Sequence, residues 1–365
     1  MDPYTFFDKC HGSWVGKVVG STFGMPFEGK NPRDIAKQYG QIAGWQAAHG
    51  TGGSVVNDDE QFELVALLCL EEGGWDQFTV PNIAKAWQEY LDPKYLFTAE
   101  KQVVANWKDG ISPEEAALPV HNPYWDFIGG QMKGEIFGQL APGNLSEAAR
   151  IARIDGAVAH HGIGIDGEVF VACMVSQGMD CSDIPTRAML EEHIEAALTQ
   201  CDVTGFYVKA INQILAWAAD HPEPMGWKTV FQQLGYWWQA EMLPMLAIRE
   251  KQHPTHPTRE GILAKCVAEP WYECHVLPNA SIVAIALLFG AGDFGQTLQL
   301  AAMMGYDADC NVGNVGGILG VYYGYEYIPS YWRDFTRDEI LAVIKDWEDS
   351  SLENLARRVE KVAHF

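Results

Sequence analysis

Apolar side chains recur every three to four residues along most of this chain, which is the spacing of one face of an α-helix. In residues 4 to 23, for example, Phe6, Cys10 and Trp14 fall on one side of such a helix. The strict alternation that indicates a half-buried β-strand is sparse throughout. The pattern therefore predicts an all-α protein. Because no repeat, low-complexity segment or linker interrupts it, we expect residues 1–365 to form a single domain.

The same periodicity predicts helices in most of the remaining chain. They cover residues 31–39, 62–72, 80–91, 98–108, 112–118, 146–159, 168–177, 185–198, 204–220, 226–241, 279–289 and 294–303. Two His-Pro steps predict an irregular loop at 251–258. Near the end, residues 336–339 match a capping box, and an amphipathic helix follows.

The helix predicted after residue 311 has an unusual composition. One of its faces carries only glycines, namely Gly313, Gly316, Gly317, Gly320 and Gly324. Each glycine inside a helix costs roughly 1 kcal/mol relative to alanine. The usual compensation is the close approach of another backbone or of a ligand, so we expect one of these along this face.

Two acidic clusters precede predicted helices. Asp307 and Asp309 stand before the glycine-rich helix, and Asn57, Asp58 and Asp59 stand before an apolar helix near the other end of the chain. A helix N-terminus stabilises nearby negative charge, so each cluster could simply cap its helix. Carboxylate and amide oxygens also suit Mg²⁺ and Mn²⁺. If the fold brings the clusters together, they predict a metal site.

Composition narrows the possible partners and location. With 25 basic and 48 acidic residues the formal charge is −23, so we expect no nucleic-acid partner, because phosphates require a basic surface.

The eight cysteines lack CxxC spacing, which indicates reduced thiols and a cytoplasmic protein. Residues 1–4 do not resemble the start of a signal peptide. The apolar run 280–289 is shorter than the about 20 residues that span a bilayer, so we expect no membrane partner. The oligomeric state stays open.

Two segments contain candidate ligand contacts. Trp125 lies in an aromatic and glycine-rich stretch and could stack on a base or sugar, although core packing is the commoner fate of a tryptophan. Gly162 to Gly167 spells GxGxxG, but helical sequence precedes it, whereas a dinucleotide-binding fingerprint follows a strand. Of the adjacent His160 and His161, we expect one to be a structural turn residue and the other to hold a ligand phosphate or base.

In this order along the chain, several segments resemble motifs of the ADP-ribosylglycohydrolase family. They are its opening helix with a metal-site glutamate (16–28), its Thr-Asp-Asp-Thr motif (57–60), its glycine-rich substrate loop (129–143), the segment with its adenosine-side histidine (155–167) and its Asp-Thr-Asp-Thr motif (307–310). The resemblance spans most of the chain. It implies an orthogonal α-helical bundle that holds two Mg²⁺ (or Mn²⁺) ions in a cleft.

The family's reaction is hydrolysis of the N- or O-glycosidic bond of ADP-ribose. Such a cleavage passes through an oxocarbenium-like state, and paired metals can orient the ribose and acidify a water. Carried over residue by residue, the implied catalytic residues are Glu28, Asp58 and Asp309. The implied metal ligands are Asn57, Asp58, Asp59, Asp307, Asp309 and Cys310. The implied substrate-binding residues are Trp125, Gly129, Gly130, Gln131, His160 and His161.

Three positions depart from the family pattern. Asn57 and Glu60 replace threonines of the first motif, and Cys310 replaces the last threonine of the second with a soft thiol that suits Mg²⁺ poorly. We expect a hydrolase acting on an ADP-ribosylated small molecule or protein. Two alternatives stay open: the same chemistry on a smaller N-ribosyl compound or nucleoside, and a non-catalytic relative that binds ADP-ribose or serves structurally. The retained acids favour an enzyme, because without cations they would repel one another.

Overall fold

The computed structural model describes residues 2–269 and 274–363. Its helices are α1 (Pro3–Gly24), α2 (Pro32–Tyr39), α3 (Asp58–Gly73), α4 (Val80–Tyr90), α5 (Thr98–Lys108), α6 (Pro113–Ala116), α7 (Glu135–Gln139), α8 (Leu145–Gly156), α9 (Ile163–Asp180), α10 (Arg187–Leu198), α11 (Phe206–Asp220), α12 (Gly226–Trp237), α13 (Leu243–Glu250), α14 (Arg259–Ala268), α15 (Val276–Gly290), α16 (Phe294–Met304), α17 (Ala308–Tyr327), α18 (Ser330–Arg333) and α19 (Leu352–Val362). Short 3₁₀ turns lie at Met25–Phe27, Ala47–His49, Trp75–Gln77, Pro93–Tyr95 and Gln131–Lys133, and a π-helical turn at Trp238–Met242. Within those described ranges no β-strand is present, so the prediction of an all-α fold is confirmed.

The antiparallel pair α1 and α17 is the centre of the fold. Glycines recur every fourth residue along α1, at Gly12, Gly16, Gly20 and Gly24. A Cβ added to Gly16 would lie 2.1 Å from the carbonyl oxygen of Gly316, far inside van der Waals contact. The glycine face predicted from the sequence is thus a contact between two helix backbones. The helix α17 ends its regular geometry at Gly324, where φ is 66°.

Helices α9, α15 and α16 pack around this pair. Every residue of α15 is buried, which explains why its sequence is apolar on all sides rather than on one stripe. Buried apolar side chains from the described helices form one hydrophobic cluster. None of these helices combines the length and the apolar character that a membrane crossing requires.

The start of α9 differs from the prediction. The sequence predicts a loop as far as residue 167, but the helix begins at Ile163. Gly164 and Gly167 allow this early start, because a Cβ at these positions would lie 2.4 Å from the carbonyl oxygen of Trp125 and 2.9 Å from Cβ of Gln131. The GxGxxG is therefore a helix start that packs closely against the preceding loop.

The prediction that residues 336–339 form a capping box at the start of a helix was wrong. Arg337 and Asp338 have φ values of 61° and 56°, which a helix does not accommodate. The Asp338 carboxylate lies 2.6 Å from Nε2 of His11 on α1 instead of capping a local backbone. The last helix, α19, begins later, where the Ser351 side chain accepts a hydrogen bond from the backbone of residue 354.

Candidate active site

The close packing of α1 and α17 brings the end of one helix to the start of the other. A Cβ on Gly24 would lie 2.2 Å from the carbonyl oxygen of Ala308, so the two backbones touch there. Just beyond, the Gly29 amide donates a hydrogen bond to the carbonyl oxygen of Tyr306, at 2.8 Å. The loop that carries Glu28 therefore lies beside the N-terminus of α17.

Helix α3 adds the second acidic cluster to the same place. Asn57 caps this helix, and its Nδ2 donates a hydrogen bond to Oδ2 of Asp309, at 3.2 Å. The Cys310 thiol donates to Oδ1 of Asp59, at 3.3 Å. Two clusters about 250 residues apart in the sequence thus converge in the fold.

These groups surround a cavity of about 240 Å³. Its lining comprises Met25, Glu28, Val56, Asn57, Asp58, Tyr95, Phe97, Thr98, Glu100, Ile128, Gly129, Met132, Cys274, Asp307, Asp309 and Cys310. All the residues that the sequence predicts as catalytic are among them. Of the predicted metal ligands, only Asp59 does not line the cavity; it is fully buried and contacts Cys310.

Three possible ligand atoms for a cation lie close together in the cluster. One oxygen atom each from Asp59 and Asp309 and the sulfur of Cys310 lie within 4.8 Å of one another. Oδ2 of Asp59 and Oδ1 of Asp309 are buried and have no hydrogen-bond partner among the described residues. Buried polar atoms without partners are costly, and a divalent cation would satisfy both oxygens.

The pKa values of the clustered carboxyl groups also indicate a cation site. Burial, followed by the negative charge of Asp309, raises the pKa of both Asp58 and Asp307 well above its ordinary value. Burial also raises the pKa of Asp59 and Asp309. Carboxylates placed this closely disfavour their own ionisation, and a bound cation would reverse that effect. The donor set therefore fits a divalent cation.

Glu28 lies at the rim of the cavity. The residue as a whole is exposed, yet its pKa is raised to about 7, chiefly by the negative charge of Asp309. An acid with a pKa near neutrality exchanges protons readily at physiological pH, which suits general acid–base chemistry.

Glu100 is an acid of the cavity that the sequence analysis missed. It is 3% exposed, its Oε1 has no hydrogen-bond partner among the described residues, and burial raises its pKa to about 7. In the sequence it is an ordinary acid in the first turn of α5. The aromatic residues before it, Tyr95 and Phe97, are no specific signal, so only the fold identifies it.

The predicted substrate-binding residues separate into two groups. Gly129 lines the cavity, and a Cβ there would lie 2.0 Å from Oε1 of Glu100 and 3.0 Å from Cε1 of His160. His160 is buried behind these two residues, with Nε2 3.5 Å from Oε1 of Glu100, and burial lowers its pKa to about 3. A neutral His160 therefore supports the wall that Glu100 forms.

Besides His160, four more of the predicted substrate-binding residues lie outside the cavity lining. Gly130 packs against α9, and Gln131 is buried between Asn314 and Tyr207, with which it forms side-chain hydrogen bonds. Trp125 and the exposed His161 form an edge-to-face pair with ring centroids 6.2 Å apart, outside the cavity.

A buried charged layer lies beneath the acidic cluster. Nζ of Lys17 is 3.1 Å from Glu63 and 3.0 Å from Glu135, and all three side chains are fully buried. The carboxylate of Glu60 accepts a hydrogen bond from the Ser21 hydroxyl, at 2.6 Å. This departure from the family motif therefore extends toward α1 and does not add a charge to the cavity lining.

Comparisons with known proteins found one matching family and a solved structure of similar fold. A family model described as ADP-ribosylglycohydrolase matches residues 2–364. A solved structure titled "ADP-ribosylglycohydrolase-related protein complex" is similar in fold, with a TM-score of 0.57 and 15% sequence identity over 99% of this chain and 100% of that chain. No curated protein matches the sequence significantly.

Proposed function

The chain belongs to the ADP-ribosylglycohydrolase family, and from that premise we propose that it hydrolyses the ribosyl linkage of an ADP-ribosylated substrate with a dinuclear Mg²⁺ or Mn²⁺ centre. Family membership makes the protein a glycosyl hydrolase. One observation carries the finer proposal. Glu28, Asp58 and Asp309, from distant parts of the sequence, line a single cavity in which a buried carboxylate oxygen of Asp309 has no hydrogen-bond partner among the described residues.

The residues that would hold the cations are those that converge at the two helix starts. They are Asn57, Asp58, Asp59, Asp307, Asp309 and Cys310. Bound divalent cations would supply an acidified water and an anchor for the ribose hydroxyls. Asp309 is central to this set, because it contacts Asn57 and its charge raises the pKa of Asp58, Asp307 and Glu28.

Two glutamates supply the proton transfers that glycoside hydrolysis requires. Glu28, at the exposed rim, accepts a proton from the attacking water. Glu100 is buried in the cavity wall at the start of α5 and holds a proton that it can donate to the leaving group. Most glycosidases use such a pair of carboxyl groups, one of which has its pKa raised by burial.

The size of the cavity limits which part of a substrate it encloses. At about 240 Å³ it is smaller than the roughly 300–1,000 Å³ of pockets that enclose drug-sized ligands. It therefore suits the ribosyl group at which cleavage occurs. The remainder of an ADP-ribosyl group would extend past Phe97, which is 52% exposed and offers a face for an adenine to stack on.

The same small volume favours a second candidate function. A smaller N-ribosyl compound or nucleoside would fill the cavity without using the surface beyond Phe97. The chemistry at Glu28 and Glu100 would be unchanged. If the pyrophosphate of the substrate contributes to its hydrolysis, the first candidate is favoured. If it contributes nothing, the smaller ribosyl compound is favoured.

The test compares an ADP-ribosylated peptide with a nucleoside that has the same glycosidic bond type, in Mg²⁺ or Mn²⁺, for wild type, Asp309→Asn and Glu28→Gln. We expect hydrolysis of the peptide linkage by the wild type and loss of it in both variants. The exposed Glu353→Gln variant serves as the control and should retain activity. Hydrolysis of the nucleoside alone would select the second candidate, and activity retained in Asp309→Asn would overturn the proposed site.

A further inference from the structure

The cavity contains two thiols, and both contact the same carboxylate. The Cys274 thiol donates a hydrogen bond to the Asp307 carboxylate, and the Cys310 side chain lies beside the same carboxylate. Both cysteines line the cavity. Cys310 also contacts Asp59, and this additional contact is the starting point for a metal-ligand assignment.

Cys310 lies among the converging donors. Its sulfur is 3.3 Å from Oδ1 of Asp59, and it shares the 4.8 Å cluster with Asp59 and Asp309. In a tetrahedral site with bonds of about 2.3 Å to sulfur and about 2.1 Å to oxygen, two donors of one ion lie about 3.6 Å apart. At 3.3 Å, the sulfur and the Asp59 oxygen are therefore close to the spacing of two ligands on one ion.

The unpartnered oxygens provide an independent observation. Oδ1 of Asp309 and Oδ2 of Asp59 are both buried, and no hydrogen-bond donor reaches either within the described part of the chain. A thiol that served only as a hydrogen-bond donor to Asp59 would leave both oxygens unsatisfied. A cation shared by the three residues would give both carboxylates a partner that the described residues do not supply.

The softness of sulfur decides which cation this is. Mg²⁺ prefers oxygen ligands, whereas Zn²⁺, Co²⁺ and Cd²⁺ accept thiolate readily. We propose that Cys310 is a thiolate ligand and that one position of the centre selects a borderline or soft divalent cation such as Zn²⁺, with Asp59 and Asp309 as oxygen ligands. When the metal–sulfur bond forms, the thiol releases its proton to solvent.

This inference rests on the proposed function, because it needs a metal centre in the same cavity. It departs from that proposal in the identity of one cation. Cys274 provides a matched control. It contacts Asp307 as Cys310 does, but it is not part of the three-residue donor cluster in the described structure.

Co²⁺ is the probe, because thiolate ligands give it an intense near-ultraviolet charge-transfer absorption that oxygen ligands do not. The full-length, metal-stripped protein is titrated with Co²⁺ in a non-thiol reductant, as wild type, Cys310→Ser, Cys274→Ser and Asp309→Asn. We expect the band in the wild type and in Cys274→Ser. In Cys310→Ser the band should vanish while the weak visible bands of bound Co²⁺ remain, which also shows that the variant is folded.

Competition with Zn²⁺ and Mg²⁺ gives a second readout. Cys310→Ser should weaken Zn²⁺ binding by at least about tenfold, the loss that even an outer ligand-supporting residue causes. Its Mg²⁺ affinity should not fall. Co²⁺ binding to the wild type without the charge-transfer band would overturn the thiolate assignment and leave the proposed function standing.

Two further outcomes would contradict the inference, and only the second would also contradict the proposed function. A band that is lost in Cys274→Ser but kept in Cys310→Ser would move the ligand to the other thiol and overturn the inference. Absence of any Co²⁺, Zn²⁺ or Mg²⁺ binding, with no effect of Asp309→Asn, would overturn the metal centre itself and the proposed function with it.

Discussion

Gly16 and Gly316 fill each other's side-chain space. A Cβ on either glycine would lie 2.1 Å from the carbonyl oxygen of the other, and both oxygens belong to helix backbones that cannot move independently. The same contact repeats toward the cavity, where Gly24 meets Ala308. The two helices are thus aligned by backbone contact, and this alignment places Glu28 beside Asp309.

Gly316→Ala tests this alignment. A methyl group at this position must push α1 and α17 apart, and overpacking of a core typically costs about 1–3 kcal/mol or more. We expect the free energy of unfolding in urea to fall by at least about 3 kcal/mol, at the upper end of that range because the clash is with backbone. Divalent-cation binding should weaken as well, since α17 carries Asp309.

The control for this variant is Gly261→Ala. Gly261 lies in α14, and a Cβ there would meet no atom within 4 Å. Replacing this exposed first-turn glycine by alanine should stabilise the protein by up to roughly 1 kcal/mol. Equal losses in the two variants would show that the effect at Gly316 is not caused by the helix contact.

The sequence predicted the parts of this fold that depend on local chemistry. Helical periods, the acids at the starts of α3 and α17, and the need for a close partner along the glycine face are all local properties. The glycines of α1 also recur every fourth residue in the sequence, but that spacing alone does not show that the two glycine faces pack against each other. Which helix packs on which is decided by the whole chain.

The candidate site, too, could be predicted from the sequence only in part. Glu100 acquires its raised pKa from burial, and nothing in the residues around it indicates burial. Nothing in the sequence around Lys17, Glu63 and Glu135 indicates burial, yet the three side chains are fully buried together. Gly130 and Gln131 were predicted as ligand contacts because their segment resembles the glycine-rich substrate loop of the family, and in the fold they pack against helices.

Asp309→Asn should have opposite effects on the metal-free and the metal-loaded protein. The substitution removes one of several buried carboxylates that repel one another, so the metal-free melting temperature should rise. Stabilisation by Mg²⁺ should disappear; at a hundred times its dissociation constant a ligand contributes about 2.7 kcal/mol. Asp166→Asn, a buried acid outside the cavity, should keep the Mg²⁺ effect. A metal-free protein destabilised by Asp309→Asn, with the Mg²⁺ effect intact, would contradict the site.

Glu100 should make the metal-free protein less stable as the pH rises. Burial raises its pKa from 4.5 to about 7, so folding takes up a proton between these values. The stabilisation is complete below about pH 4.5 and is lost as the pH rises through about 7, a change of about 3 kcal/mol for this group. In chelator, Glu100→Gln should therefore flatten the pH dependence of the unfolding free energy between pH 5 and pH 7. An unchanged slope would show that Glu100 is ionised in the folded protein.

Lys17→Met should be among the most destabilising single changes in the chain. Its ammonium lies about 3 Å from Glu63 and Glu135, all three side chains are fully buried, and removal leaves two acids without their cation. Breaking a buried ion pair from one side costs about 3–5 kcal/mol. Lys17→Met/Glu63→Gln should recover part of that loss, and exposed Lys345→Met should change little. Urea unfolding measures all three, and a double variant less stable than Lys17→Met would show that Lys17 stabilises the fold by packing and not by its charge.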